Sequence, residues 1–134
     1  GQGSEVGGRP EELRAILERL GWPAGMGVCV DSCHLFAAGY DLRTRQGVDE
    51  AVRALDRAVG WERVRVVHLN DSRMGCGSRR DRHAKIGQGQ LGLEGIRQVV
   101  THPALRELPF ILETPVEEYH EYAGEIRQVR ALVS

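Results

Sequence analysis

At 134 residues, 41% of them hydrophobic, and with a formal net charge of −1, the chain has material for one packed core and lacks the cationic surplus of a protein that coats nucleic acid through many phosphate contacts. No apolar run approaches the roughly 18 to 20 residues of a membrane span and no charged, apolar and small-residue signal segment opens the chain, so a cytoplasmic protein of one domain is expected. The three cysteines, Cys29, Cys33 and Cys76, form no Cys-x-x-Cys pair, which argues for a reducing compartment over a disulfide framework; Cys29 is expected in the core.

RPEELRAILERLG, residues 9 to 21, sets Leu13, Ile16, Leu17 and Leu20 on one helical face, with Pro10 and two glutamates in the first turn and Gly21 as a stop. GVCVD, 27 to 31, is a short β-branched run. VDEAVRALDRAVG, 48 to 60, repeats the amphipathic design with Val48, Val52, Leu55 and Val59 inward and Gly60 at its end. VRVVHLND, 64 to 71, is a second strand, followed by a loop in which Arg73, Arg79, Arg80, Arg82 and Lys85 face the single acid Asp81, with Gly75 and Gly77 between them. Taken alone, that loop reads as solvated and flexible. GQGQLG, 87 to 92, looks like a phosphate-cradling glycine loop, but no Lys-Ser/Thr pair follows it and no strand closely precedes it, so flexibility accounts for it. LGLEGIRQVVTHP, 91 to 103, is a helix stopped by Pro103, and PFILET, 109 to 114, is a third strand. From Pro115 onward Val116, Tyr119, Ile126, Val129 and Leu132 mark a last helix, weakened by Gly124. His102 and His120 read as surface residues, and Trp22 and Trp61, each following a helix-ending glycine, as packing anchors. Neither a Ser-His-Asp signature nor a nucleophile elbow is present.

Short apolar strands separated by helices imply right-handed crossovers and a parallel α/β sheet covered by helices. Each strand run ends, at its carboxyl end, in a potential metal ligand: Asp31, His68 and Glu113. Active sites of parallel barrels and open α/β sheets lie at those ends. Alternation places Val64, Val66 and His68 on one face, and Ile111 with Glu113 on one face. Just beyond come His34, in DSCH, and the pair Asp81 and His83, in RRDRH, whose i, i+2 spacing lets an extended segment aim both at one ion. Mixed imidazole and carboxylate donors suit zinc and admit manganese or iron, and several nearby ions suit hydrolysis of a phosphate ester.

VDSCHLFAAGYDLRT, HLNDS followed by GSRRDRH, the IGQG segment and ILETP resemble, in order, the motifs of the endonuclease IV (deoxyribonuclease IV) family of apurinic/apyrimidinic endonucleases. The resemblance implies a zinc-dependent TIM barrel that cleaves the phosphodiester bond 5′ to an abasic site in duplex DNA and leaves a 3′ hydroxyl. It implies that Asp31, His68 and Glu113 hold one zinc of a trinuclear cluster and act in catalysis, and that His34, Asp81 and His83 hold another. With a DNA phosphate as substrate, Arg79, Arg80 and Arg82 become candidate phosphate contacts. A complete barrel takes roughly 250 residues, and only three strands are legible here. GQGSEVG at the start resembles the segment after the family's fifth strand; a zinc-bridging glutamate would lie just before Gly1, and two histidines of the remaining zinc farther upstream. The expected architecture is therefore the C-terminal half of a xylose-isomerase-like barrel spanning 1 to 134, with an inward row facing water, two open strand edges, and a need for self-association or complementation by an N-terminal half. Two rivals stand beside a DNA-repair nuclease. One is a metal-dependent sugar isomerase or epimerase of similar fold, which would have little use for the basic loop; the other is a non-catalytic zinc-binding module.

Overall fold

A computed structural model describes residues 9–133; the GQGSEVG segment lies outside the described residues. The first helix, α1, runs Pro10–Leu20. Proline is tolerated in a first turn, where its missing N–H has no helical acceptor to lose, and Gly21 closes the helix in the left-handed conformation at φ 75°. Of the four expected inward residues only Leu17 is buried, while Ile16 and Leu20 are 36% and 52% exposed. The helix packs against α3, Arg45–Val59, and contact with one neighbour needs only a narrow stripe. α3 is capped by Thr44, whose hydroxyl accepts the Gly47 N–H at 3.0 Å, and it buries Val48, Ala51, Leu55 and Val59.

Three parallel strands, β1 (Val28–Asp31), β2 (Val64–Leu69) and β5 (Phe110–Leu112), form a sheet in the order β1-β2-β5. Asp31 pairs with His68, and His68 with Ile111, so the polar strand ends share one rim. Helices α2 (Ser32–Ala37), α3, α4 (Gly92–Thr101) and α5 (His120–Val133) follow or separate these strands. Two further strands of two residues each, β3 (Asp71–Ser72) and β4 (His83–Ala84), pair antiparallel with Ser72 opposite His83. Neither α2 nor this ladder is long enough to show a hydrophobic period, so neither is legible in the sequence.

The two faces of the sheet differ. On the helix-covered face Val28, Val30, Val64, Val67 and Leu69 join Leu35, Phe36, Val48, Leu55, Ile96 and Val99 in a continuous core. The opposite face carries Cys29, exposed rather than in the core as expected, together with Val66 and Ile111, the last 48% exposed. Val64 also departs from expectation. Register shifts between Val28 and Cys29, which pair with Val64 and Val66, and the extra residue turns Val64 toward the helices while Val66 and His68 keep the other face. Among the described residues β1 and β5 are edge strands.

The last helix begins at His120, later than the apolar spacing implied: the Glu121 carboxylate accepts the N–H groups of Glu117 and Glu118 at 3.1 and 3.0 Å and holds the residues ahead of the helix in a turn. Tyr119 stands 89% exposed ahead of the helix. His102 is buried, not superficial: its Nε2 lies 2.6 Å from the Asp49 carboxylate of α3 and its Nδ1 accepts the Ala104 N–H at 3.1 Å. That histidine ties α4 to α3, and its hydrogen bond holds the Asp49 carboxyl below the usual range. Trp22 and Trp61 pack against the core and His120 is exposed, as expected. No helix among the described residues is long and apolar enough to cross a membrane.

Candidate metal centre

The rim of the sheet gathers the candidate ligands into two adjoining groups. At the end of β1, Asp31 is 7% exposed; its Oδ1 caps α2, accepting the N–H groups of Cys33 at 2.7 Å and His34 at 3.2 Å, and this is why the chain turns helical on leaving the strand. His68 stands one position before the end of β2 and Glu113 directly follows β5, with Nδ1 and Oε1 2.9 Å apart. Asp31, His68 and Glu113 each offer one donor atom, all within 4.8 Å of one another.

The second group forms where the β3–β4 ladder returns the basic loop to the rim. His34, in the first turns of α2, contacts Asp81 through Nε2 and Oδ2. His83 Nε2 lies 3.5 Å from Asp81 Oδ1 and 3.4 Å from Asp31 Oδ2, and the His34 and His83 rings are 6.4 Å apart between centroids. Asp31 faces both groups and joins them. Burial alone would raise the Asp81 carboxyl, but the adjoining imidazoles of His34 and then His83 outweigh it and hold the group well below the ordinary range. Asp31, then Asp81, raises the His83 imidazolium to about 10.

Cys33 was not among the expected site residues, yet its Sγ shares a 4.8 Å neighbourhood with donors of Asp31, Asp81 and His83. Its burial, reinforced by the Asp81 hydrogen bond, pushes the thiol far up. Its position two residues after Asp31, inside DSCH, was the one available signal.

The donor set fits a divalent metal. His83 Nε2 is buried without a hydrogen-bond partner, facing two carboxylates at distances longer than a good hydrogen bond. Three imidazoles and three carboxylates converging at a rim form a mixed nitrogen and oxygen site of the kind that zinc, manganese or iron occupies.

Behind the candidate ligands lies a buried polar layer that the residue types did not announce. Asn70 and Asp71 are each 0% exposed. Asp71 accepts backbone N–H groups from Ser72, Gly87, Gly89, Leu91 and Gly92 at 2.8 to 3.1 Å. GQGQLG therefore does cradle an anion, the carboxylate of Asp71, and is an ordered loop instead of a merely flexible one. A Cβ on Gly89 would lie 2.5 Å from Asp71 Oδ1 and 2.4 Å from the Ser72 carbonyl oxygen, so only glycine fits there. Glu125 of α5, 5% exposed, accepts the Thr114 hydroxyl at 2.5 Å and the Ile86 N–H at 2.7 Å, anchoring the residue that follows Glu113.

Arg79, Arg80 and Arg82 are exposed on the segment that carries Asp81 and His83. The segment is strapped to α2 by the Gly77 and Arg79 N–H groups, which donate to Phe36 and Ala37 carbonyls at 2.9 and 3.0 Å. Lys85, counted with the basic loop in the sequence, is instead paired with Glu121 at 2.5 Å.

The family described as the xylose isomerase-like TIM barrel matches residues 1–132. A protein of Moorella thermoacetica named probable endonuclease 4 is 55% identical over 100% of this chain and 48% of its own length; its namesake from Natronomonas pharaonis is 44% identical over 98% of this chain and 47% of its own length. The crystal structure of endonuclease IV from Thermus thermophilus shares 46% identity at a TM-score of 0.78, over 99% of this chain and 46% of that one. The chain thus spans about half the length of the relatives it matches. With its parallel strands forming part of a barrel, the chain belongs to the xylose isomerase-like TIM barrel family, and its relatives there are endonuclease IV proteins.

Proposed function

We propose that this chain carries six metal ligands of a zinc-dependent DNA-repair endonuclease that hydrolyses the phosphodiester bond 5′ to an abasic site in duplex DNA. The observation that carries the reading is the convergence of Asp31, His68 and Glu113 with His34, Asp81 and His83 at one rim of a parallel sheet, in a chain similar to proteins named endonuclease 4.

Asp31, His68 and Glu113 would hold one zinc, and His34, Asp81 and His83 another; a complete site of up to three would draw its remaining ligands from outside these residues. Bound zinc supplies Lewis acidity, which eases deprotonation of water and stabilises a departing oxygen. The chain's own part is to hold the carboxylates and imidazoles converged before substrate arrives, on strand ends and a capped helix that cannot swing away. Exposed Arg79, Arg80 and Arg82, beside Asp81 and His83, would take the DNA phosphates.

A metal-binding, non-catalytic reading is favoured by one observation: the chain spans about half of each relative. Nicking of a duplex with a single abasic site by the purified chain, with zinc, with chelator and as the Glu113→Ala variant, separates the two. Chelator-sensitive nicking that disappears in the variant supports the nuclease. A folded, zinc-loaded chain that leaves the duplex intact supports metal binding alone, with chemistry that depends on a complementing half, and turnover of a ketose with no nicking would substitute an isomerase.

A further inference from the structure

Asn70 is fully buried two residues beyond His68, and nothing in the proposed chemistry uses it. We propose that Asn70 is a positioning residue of the metal centre, holding Asp31 and Glu113 in register across three strands. Its Nδ2 donates to Asp31 Oδ2 at 2.9 Å and its Oδ1 accepts the Glu113 N–H at 2.9 Å. The amide orientation is assigned by its partners, since the carboxylate can only accept and the backbone N–H can only donate.

The amide itself is anchored. Its backbone N–H donates to Ser32 Oγ at 2.9 Å and its carbonyl accepts from that hydroxyl at 2.6 Å, and Ser32 is the residue next to Asp31. One side chain therefore connects the ends of β1, β2 and β5. With Oδ1 of Asp31 already held by the N–H groups of Cys33 and His34, Asn70 removes the remaining rotation of that carboxylate, and Asp31 faces both ligand groups. A carboxamide in a core is costly unless both ends are satisfied. Leucine would fill the same space, but could neither donate to Asp31 nor accept from Glu113. Groups that orient metal ligands in this way typically change metal affinity by about 10- to 100-fold when removed.

The inference rests on the reading that Asp31 and Glu113 hold a metal. Calorimetric zinc titration of the 134-residue chain and of Asn70→Ala and Asn70→Leu, with cobalt absorption spectra of each, tests it. Folded variants are expected to bind zinc about 10- to 100-fold more weakly, with altered cobalt bands because the Asp31 carboxylate is free to turn. A variant with a lower metal-free melting temperature but unchanged zinc affinity and cobalt spectrum would make Asn70 a purely structural strap and overturn the proposal. Should neither variant fold, the wild-type side-chain amide protons decide by NMR: slow exchange and shifts tracking the His68 ring through the titration support it, and protons that stay unmoved overturn it. Wild-type chain that takes up neither metal would sink the metal reading and this inference together, an outcome distinct from failure of the variants alone.

Discussion

Asp71 and Asp81 are both enclosed carboxylates, ten residues apart on the same side of the fold, and they are satisfied in opposite ways. Asp71 is ringed by backbone N–H groups from its neighbour and from the glycine loop, donors that cannot move or lose a proton without unfolding that loop. Asp81 lies against the imidazoles of His34 and His83, donors that can surrender their protons and turn the same lone pairs to a cation. The first arrangement is architecture; the second is the kind of arrangement that the proposed metal centre requires. A buried carboxylate is thus informative only through the groups that face it.

The largest expected break is Asp71→Ala, which strands several enclosed donors at once and should cost about 4 kcal/mol of unfolding free energy, read from the urea midpoint. A cost below about 1 kcal/mol would mean water replaces the carboxylate and the loop is not built around it. Next comes zinc itself. At free zinc near a hundred times its dissociation constant the chain should gain about 2.7 kcal/mol, removed by chelator. In Asp81→Asn that gain should fall without vanishing, because His34 and His83 lose the carboxylate between them while the Asp31, His68 and Glu113 group stays intact. Melting that ignores zinc and chelator would eliminate the metal centre.

Gly89→Ala sharpens the same contrast from the donor side: the methyl group meets the Ser72 carbonyl and Asp71, and a loss of about 2 kcal/mol is expected. Wild-type stability in that variant would show that the loop can move away from Asp71. The smallest effect concerns the two cations flanking the ladder. Arg80→Ala should weaken DNA binding and reduce the salt slope by about 1, whereas Lys85→Ala, whose ammonium already pairs with Glu121, should leave that slope in place. Equal slopes for both variants and the wild type would remove Arg80 from the phosphate contacts.

Much of this was legible from residue order. The helix faces of α3 and the three strands follow from local periodicity, and the coincidence of Asp31, His68 and Glu113 at strand ends follows from alternation and residue type. The failures share a cause. Cys29 is as apolar as its neighbours but lies on the sheet face that the described helices do not cover; His102 resembled a helix-end surface residue until α3 brought Asp49 to it. Asn70 and Glu125 carry no local signal of their roles, because their partners Asp31, Glu113 and Ile86 lie 39 or more residues away.

The sequence by itself determined the alternation of strands and helices and nominated six candidate donors, since both rest on spacing and side-chain chemistry that need no partner. Only the tertiary structure decided which face of the sheet is covered and which carboxylate is locked by the backbone. It also decided that one amide spans three strands. Burial and hydrogen-bond satisfaction belong to pairs of groups, and the chain path brings those pairs together.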